Sequence, residues 1–293
     1  MRHWIAGARP RTLPAAIVPV LVGTACAVRD TGDWNHGIIV WRALAAMVVS
    51  LAIQVGTNFA NDYSDGIRGT DAVRVGPVRL VASGLASASS VKRAAFASFG
   101  VAAVAGLALA AAAGWWLIAV GAAALLAGWF YTGGPRPYGY AGFGELFVFV
   151  FFGLVATVGT TYVQLEKITG LSVAAAIPVG LLATALLVTN NLRDIPTDRA
   201  AGKHTLAVRI GDRATRLLYV GMIVAVFAVI IAIAVADRPC AALALMGAVF
   251  VVAPVRAVLS GASGRELIAV LGATGRTQLV TGVLLAIGIA VSA

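Results

Sequence analysis

The sequence predicts an all-α, polytopic membrane protein, and three observations carry that prediction. Hydrophobic residues make up 60% of the 293 positions and charged residues only 12%, whereas a soluble domain carries about a quarter charged residues. Mean hydropathy is +0.93. Apolar runs of about 15–20 residues recur along the chain, long enough to cross a hydrocarbon layer of ~30 Å. Backbone in lipid must satisfy its own hydrogen bonds, which leaves helices or a closed barrel. These runs are continuous and rich in Ala, Leu and Val, without the strict alternation of barrel strands, so helices are predicted.

Nine spans are expected, at roughly 13–29, 38–60, 94–113, 115–131, 143–163, 171–190, 217–236, 240–256 and 277–293. The first follows a basic start with Arg2, Arg9 and Arg11 and has no small-residue cleavage site after it, so it reads as a membrane helix and not as a removed signal. Trp34 and Trp41 lie near the start of the second span, and Trp115, Trp116 and Trp129 near the ends of the fourth, where interfacial anchors belong. The second and sixth spans each run into a long polar loop, 61–93 and 191–216. Ahead of the ninth, the stretch 257–276 holds Arg265, Glu266 and Arg276 around a short apolar piece and reads as a helix near the interface. The whole is expected to be one domain of two related halves, about 13–131 and 143–256, plus a C-terminal helix.

The net charge of +10 invites a nucleic-acid reading, but its distribution excludes one. Under this map only Arg29, Arg42, Lys167 and Arg238 fall on one side of the membrane, and the other 18 of the 22 Lys and Arg fall on the opposite side. The positive-inside rule then puts the N-terminus and both long loops in the cytoplasm and the C-terminus outside. Cys26 and Cys240 make neither a disulfide framework nor a zinc ribbon. His3, His36 and His204 are scattered, which argues against a histidine metal cluster.

Each long loop opens on a similar figure. The first is Asn58-Phe-Ala-Asn61-Asp62-Tyr-Ser-Asp65 and the second Asn190-Asn191-Leu-Arg-Asp194-Ile-Pro-Thr-Asp198. Asn58 and Asp62 stand four apart, as do Asn190 and Asp194, so each pair shares a helix face. Asp65 falls on the face of Asp62, and Asp198 on that of Asp194, although Pro196 is expected to interrupt the second helix. Together with Asp71, these are five of the chain's 12 acids in two short segments. Grouped carboxylates repel, and a divalent cation between them removes the penalty. Magnesium takes one or two protein carboxylates and completes its shell with water and substrate phosphate. Two facing clusters thus suit two magnesium ions across a diphosphate, with Lys203, Arg209, Arg68, Arg74 and Arg79 as candidates to meet its oxygens. The acids sit at span ends and not midway through the bilayer, which disfavours the alternative of a cation-coupled transporter. Asp65-Gly66-Ile67-Arg68 also fails the Asp-Gly-x-x-Ala-Arg pattern of phosphatidyl-alcohol transferases.

Residues 58–85, NFANDYSDGIRGTDAVRVGPVRLVASGL, and 190–211, NNLRDIPTDRAAGKHTLAVRIG, resemble the UbiA-type intramembrane aromatic prenyltransferases. Within that superfamily they are most similar to the menaquinone branch, the 1,4-dihydroxy-2-naphthoate polyprenyltransferases. GARPRTLPAA at 7–16 and YTGGPRPYGYAGFGE at 131–145 share the likeness. The resemblance implies nine helices around a central cavity capped by the two Asp-bearing loops. It implies magnesium on Asp62, Asp65, Asp194 and Asp198, assisted by Asn58 and by Asn190 or Asn191. It also implies transfer of a polyprenyl chain from its diphosphate to 1,4-dihydroxy-2-naphthoate, with loss of carbon dioxide and diphosphate. A relative acting on another aromatic acceptor, such as 4-hydroxybenzoate, is the alternative within the superfamily. Two departures stand out. The superfamily pattern Asn-x-x-x-Asp-x-x-x-Asp meets Gly66 at its last position, leaving Asp65 or Asp71 to serve. The Tyr-x-x-x-Lys pattern keeps Tyr131 but has Pro135 and Arg136 where the lysine would be.

Overall fold

The structure, a computed structural model, describes residues 2–31, 38–70, 79–236 and 238–292. Among them there are helices and no strands. A short helix α1 (Arg2–Gly7) and a 3-10 turn (Pro10–Thr12) lead into α2 (Pro14–Thr31). Then follow α3 (Val40–Arg68), α4 (Ala88–Ala113), α5 (Leu117–Phe130), α6 (Gly144–Leu165) and α7 (Gly170–Ala200). After α8 (Leu206–Ala236), a 3-10 stretch Pro239–Phe250 leads to α9 (Val252–Leu259), and α10 (Glu266–Val291) ends the fold.

Six of these helices (α3, α4, α6, α7, α8 and α10) are long and apolar enough to cross a membrane. Two bent pairs, His3–Thr12 with Pro14–Val28 and Pro239–Phe250 with Val252–Leu259, pass the same test jointly, with bends of 49° and 46°. The apolar α5 has 14 residues. Large side chains such as Leu44, Val104, Leu126, Val224, Val235 and Val249 point outward uncovered. In a multi-pass membrane protein these meet acyl chains, where exposure of an apolar group carries no penalty.

Three sequence expectations are corrected. The stretches 61–93 and 191–216 do not begin as loops: α3 continues to Arg68 and α7 to Ala200, so both Asp motifs lie on helix ends. Hydropathy ended those spans early because their last turns are polar. Pro196 lies inside α7 without ending it. The second polar connection shrinks to 201–205, and α8 starts at Leu206, with a break at Gly211, whose φ of 81° is left-handed. The charged stretch before the last span is no separate interfacial helix, because α10 starts at Glu266 and carries Arg276 exposed on its flank.

Local signals set the boundaries. The Ser87 hydroxyl accepts from the Ser90 N–H to start α4, and a reciprocal Thr169–Ser172 capping box starts α7. Gly69, with φ 69°, closes α3 in the left-handed conformation that glycine adopts without strain. Between spans, close packing replaces the hydrophobic effect as the source of cohesion. A π-helical segment, Phe149–Val155, sits inside α6. There a Cβ on Gly153 would lie 2.5 Å from the Gly180 Cα, so α6 and α7 meet backbone to backbone. The largest buried cluster joins α2, α7, α8, the 239–250 stretch and α10. The cavities lie between that cluster and the α3–α4–α5 side.

Candidate active site

A large cavity of about 700 Å³ opens inside the bundle, walled mostly by Val, Leu, Ala and Gly together with Tyr138, Phe147, Phe151 and Phe152. Beside it lies a smaller chamber of about 60 Å³ lined almost wholly by polar side chains, among them Asp65, Asp194, Asp198, Arg79 and Lys203. Arg9, Asn61, Arg79, Tyr131 and Asn190 line both spaces and so mark their junction.

Two helix ends supply the chamber's oxygens. On α3, Asn61 and Asp65 are four residues apart and share the face toward it. On α7, Asn190, Asp194 and Asp198 repeat the spacing, with Asn191 beside them. The figure common to the two helices is thus Asn61-x-x-x-Asp65 against Asn190-x-x-x-Asp194, three residues on from the 58/62 frame. Asp65 is the hub. It accepts from Lys203 Nζ at 3.1 Å and from the Tyr140 hydroxyl, and lies 3.6 Å from Arg79 Nη2. Lys203 reaches Asp198 at 4.0 Å and stands 4.6 Å over the Tyr140 ring. Asp194 is held by both arms of the neighbouring Arg193 guanidinium, at 2.7 and 2.8 Å. Burial, with the Asp65 carboxylate alongside, pushes the Tyr140 phenol well above its usual range, so Tyr140 remains a proton-bearing donor.

Several expected site residues have other employment. Asp62, only 1% exposed, does not line the chamber; its two oxygens accept the backbone N–H groups of Leu80 and Val81 at 2.8 and 3.0 Å. It fixes the strand of chain that delivers Arg79. Asn58 borders the large cavity, donates to the Ala8 carbonyl and the Thr12 hydroxyl, and so pins the N-terminal segment on α3. That segment in turn places Arg9 at the junction. The Arg68 guanidinium donates to the carbonyls of Thr132 and Gly134, clamping the 131–143 connection from outside the chamber. Arg209 is exposed and donates to the His204 carbonyl at 3.0 Å. Asp71 and Arg74 lie outside the described residues. Asp65, Asp194, Asp198, Lys203, Arg79, Asn190, Asn191 and Tyr131 do come together. Sequence reasoning missed Asn61, Tyr140, Thr132 and Arg9. Asn61 was recoverable by sliding the Asn-x-x-x-Asp template three places, whereas Tyr140 and Arg9 carry no periodic signal. Behind the wall, Glu145 accepts from the Asn191 side-chain amide at 2.9 Å.

The donor set bears directly on magnesium. Among the described residues no three His, Cys, Asp or Glu side chains converge as a ready-made metal cage. Magnesium does not ask for one, because water and substrate phosphate fill most of its shell. Carboxylates and amide oxygens from two helices around one polar chamber fit that requirement, and among the described residues the chamber wall carries neither the Cys nor the His that zinc favours.

An all-helical bundle holding an acid-and-cation chamber against an apolar cavity defines a membrane enzyme for substrates with a charged head and a long apolar tail. The chain belongs to the UbiA prenyltransferase family, which matches residues 16–269. The 1,4-dihydroxy-2-naphthoate octaprenyltransferase of Mycobacterium tuberculosis is 51% identical over 278 residues, covering 95% of this chain and 93% of that protein. Among solved structures, the fold resembles the apo structure of a UbiA homolog from Aeropyrum pernix K1, with a TM-score of 0.71 at 15% identity over 98% of each chain. It also resembles a UbiA homolog from Archaeoglobus fulgidus bound to DMAPP and Mg2+, with a TM-score of 0.59 at 14% identity over 97% of this chain and 99% of that one.

Proposed function

We propose that this chain transfers a polyprenyl group from polyprenyl diphosphate to 1,4-dihydroxy-2-naphthoate, releasing diphosphate and carbon dioxide. The observation that carries the reading is the junction: one polar chamber suited to a diphosphate opens on one apolar cavity suited to a prenyl tail and an aromatic ring. The identity to relatives that bear this activity in their names supports the choice of acceptor.

Magnesium, as two ions, would be held by Asp65 on α3 and by Asp194 and Asp198 on α7, with Asn61, Asn190 and Asn191 assisting. When bound, it neutralises the charge that builds on the departing diphosphate. Lys203 and Arg79 offer N–H groups to the phosphate oxygens, Lys as a point charge and Arg through its planar fork. As the allylic C–O bond breaks, positive charge develops at the junction. The faces of Tyr131, Tyr138 and Phe147 stabilise it there, the last two stacked at 4.0 Å. Apolar walls keep water from capturing that carbon. The acceptor ring attacks it, the ring carbon loses its carboxyl group as carbon dioxide, and aromaticity returns. Asp62 contributes by holding the backbone that presents Arg79.

The nine apolar segments (six long helices, two bent pairs and α5) would each cross the cytoplasmic membrane, as one domain of two related halves. The N-terminus and the chamber then face the cytoplasm and the C-terminus the outside. The test is purified protein in detergent or liposomes, given polyprenyl diphosphate with either dihydroxynaphthoate or 4-hydroxybenzoate, with and without chelator. Prenylated naphthol that needs magnesium is expected. Prenylation of 4-hydroxybenzoate alone would overturn the acceptor, and full activity in chelator would overturn the metal.

A further inference from the structure

Helix α7 carries two stripes. Asn190, Asn191, Asp194 and Asp198 line the chamber, whereas Ala183, Leu186, Leu187, Asn190 and Arg193 line the large cavity. Arg193 therefore borders the cavity and not the chamber. It is 5% exposed. Its Nε and Nη2 are committed to Asp194, and its Nη1 is buried and donates to nothing among the described residues. A buried guanidinium N–H without an acceptor costs free energy that a bound anion recovers. The space it borders suits a flat apolar body with one negative group. Arg11 borders the same cavity but is exposed, and Arg9 belongs to the diphosphate chamber as well.

Building on the acceptor reading above, we propose that Arg193 anchors the carboxylate of the aromatic acceptor through Nη1. The pairing with Asp194 sets the strength of the anchor. A carboxylate about to leave as carbon dioxide should be oriented without being strongly stabilised, since ground-state binding not kept in the transition state slows the reaction. An unpaired buried guanidinium would hold it too firmly. A guanidinium already neutralised by Asp194 offers one directed N–H and little net charge. The same arrangement ties the acceptor's position to Asp194, on the chamber side of α7.

The experiment measures equilibrium binding to the purified protein, without prenyl diphosphate, of 1-hydroxy-2-naphthoate and of its uncharged carboxamide. Wild type should prefer the acid. Arg193→Lys, which keeps a cation beside Asp194, should weaken acid binding about tenfold, the value of one charge-assisted hydrogen bond, and leave the amide within about twofold. Asp194→Asn, which removes the neutralising partner, should tighten acid binding several-fold. An unchanged acid-to-amide ratio in Arg193→Lys overturns the proposal, as does weakened acid binding in Asp194→Asn. Should Arg193→Lys fail to fold, the Asp194→Asn arm decides alone. A wild type that shows this Arg193-dependent preference but never prenylates dihydroxynaphthoate supports the carboxylate anchor while removing the acceptor's identity.

Discussion

The ends of α3 and α7 carry nearly the same letters and use them differently. On α3, one aspartate of the figure, Asp62, is turned into scaffolding: both its oxygens are filled by backbone amides, and only Asn61 and Asp65 reach the chamber. On α7, both aspartates reach it, and the neighbour of the first, Arg193, supplies the compensating charge. The α3 end thus fixes a distant segment of chain, whereas the α7 end balances its charge locally. Matching spacing in two places identifies the region of chemistry, but the partner each side chain finds decides which member of the motif takes part.

That difference predicts a graded set of effects. Asp65→Ala and Asp194→Ala should each reduce prenyl transfer about a thousandfold, as expected when charge stabilisation of a leaving group is lost, while the protein still purifies as a folded species in detergent. Near-normal turnover in either would break the assignment of both helix ends to the chamber. Lys203→Met removes the cation between Asp65 and Asp198 and should cost about a hundredfold, read as a fall in kcat. Asp62→Ala should act through stability instead. It leaves the buried Leu80 amide and the partly buried Val81 amide without acceptors, the first at about 1–3 kcal/mol, so lower thermal stability should accompany a smaller activity loss. An Asp62 variant as inactive as Asp65→Ala yet fully stable would show that the two ends are used alike.

The smallest effect concerns Tyr140. Its phenol is raised above the ordinary 10.0 by burial and by Asp65. Its contribution to stability is therefore complete below that pH and is lost as pH rises beyond it. Wild type and Tyr140→Phe should have parallel stability profiles below pH 10, and above it only the wild type should show the loss due to this group, followed by thermal unfolding in alkaline buffers.

Much of this was legible in the sequence. Six of the expected spans fall on helices long and apolar enough to cross a membrane and two on bent helix pairs, because lipid imposes a length and a composition that hydropathy reads directly; the fourth falls on α5, an apolar helix of only 14 residues. The chamber's acids were legible because carboxylates are rare in this chain and clustered. The helix ends were not: Asn, Asp and Arg in a last helical turn look like loop, and only their hydrogen bonds reveal the continuing helix. Tyr140, Thr132 and Arg9 were invisible for another reason. Tyr140 and Thr132 reach the site from a connection between spans and Arg9 from the N-terminal segment ahead of α2, where no periodicity records direction. Arg9 even adopts a left-handed backbone, φ 52°, that nothing in its letters announces.

Asn190 belongs to both the cavity wall and the chamber wall, so α7 gives the two spaces a common ruler. Along one unbroken helix the separation between phosphate-side and ring-side contacts is fixed by the hydrogen-bonded helical repeat, about 1.5 Å and 100° per residue. Loosening of the surrounding bundle would leave that offset intact. Inserting a single residue between positions 186 and 198 would turn one stripe away from its space while preserving every functional side chain. Alignment of the two reactants is thus inherited from the pitch of one helix, and bundle packing need only keep that helix in place.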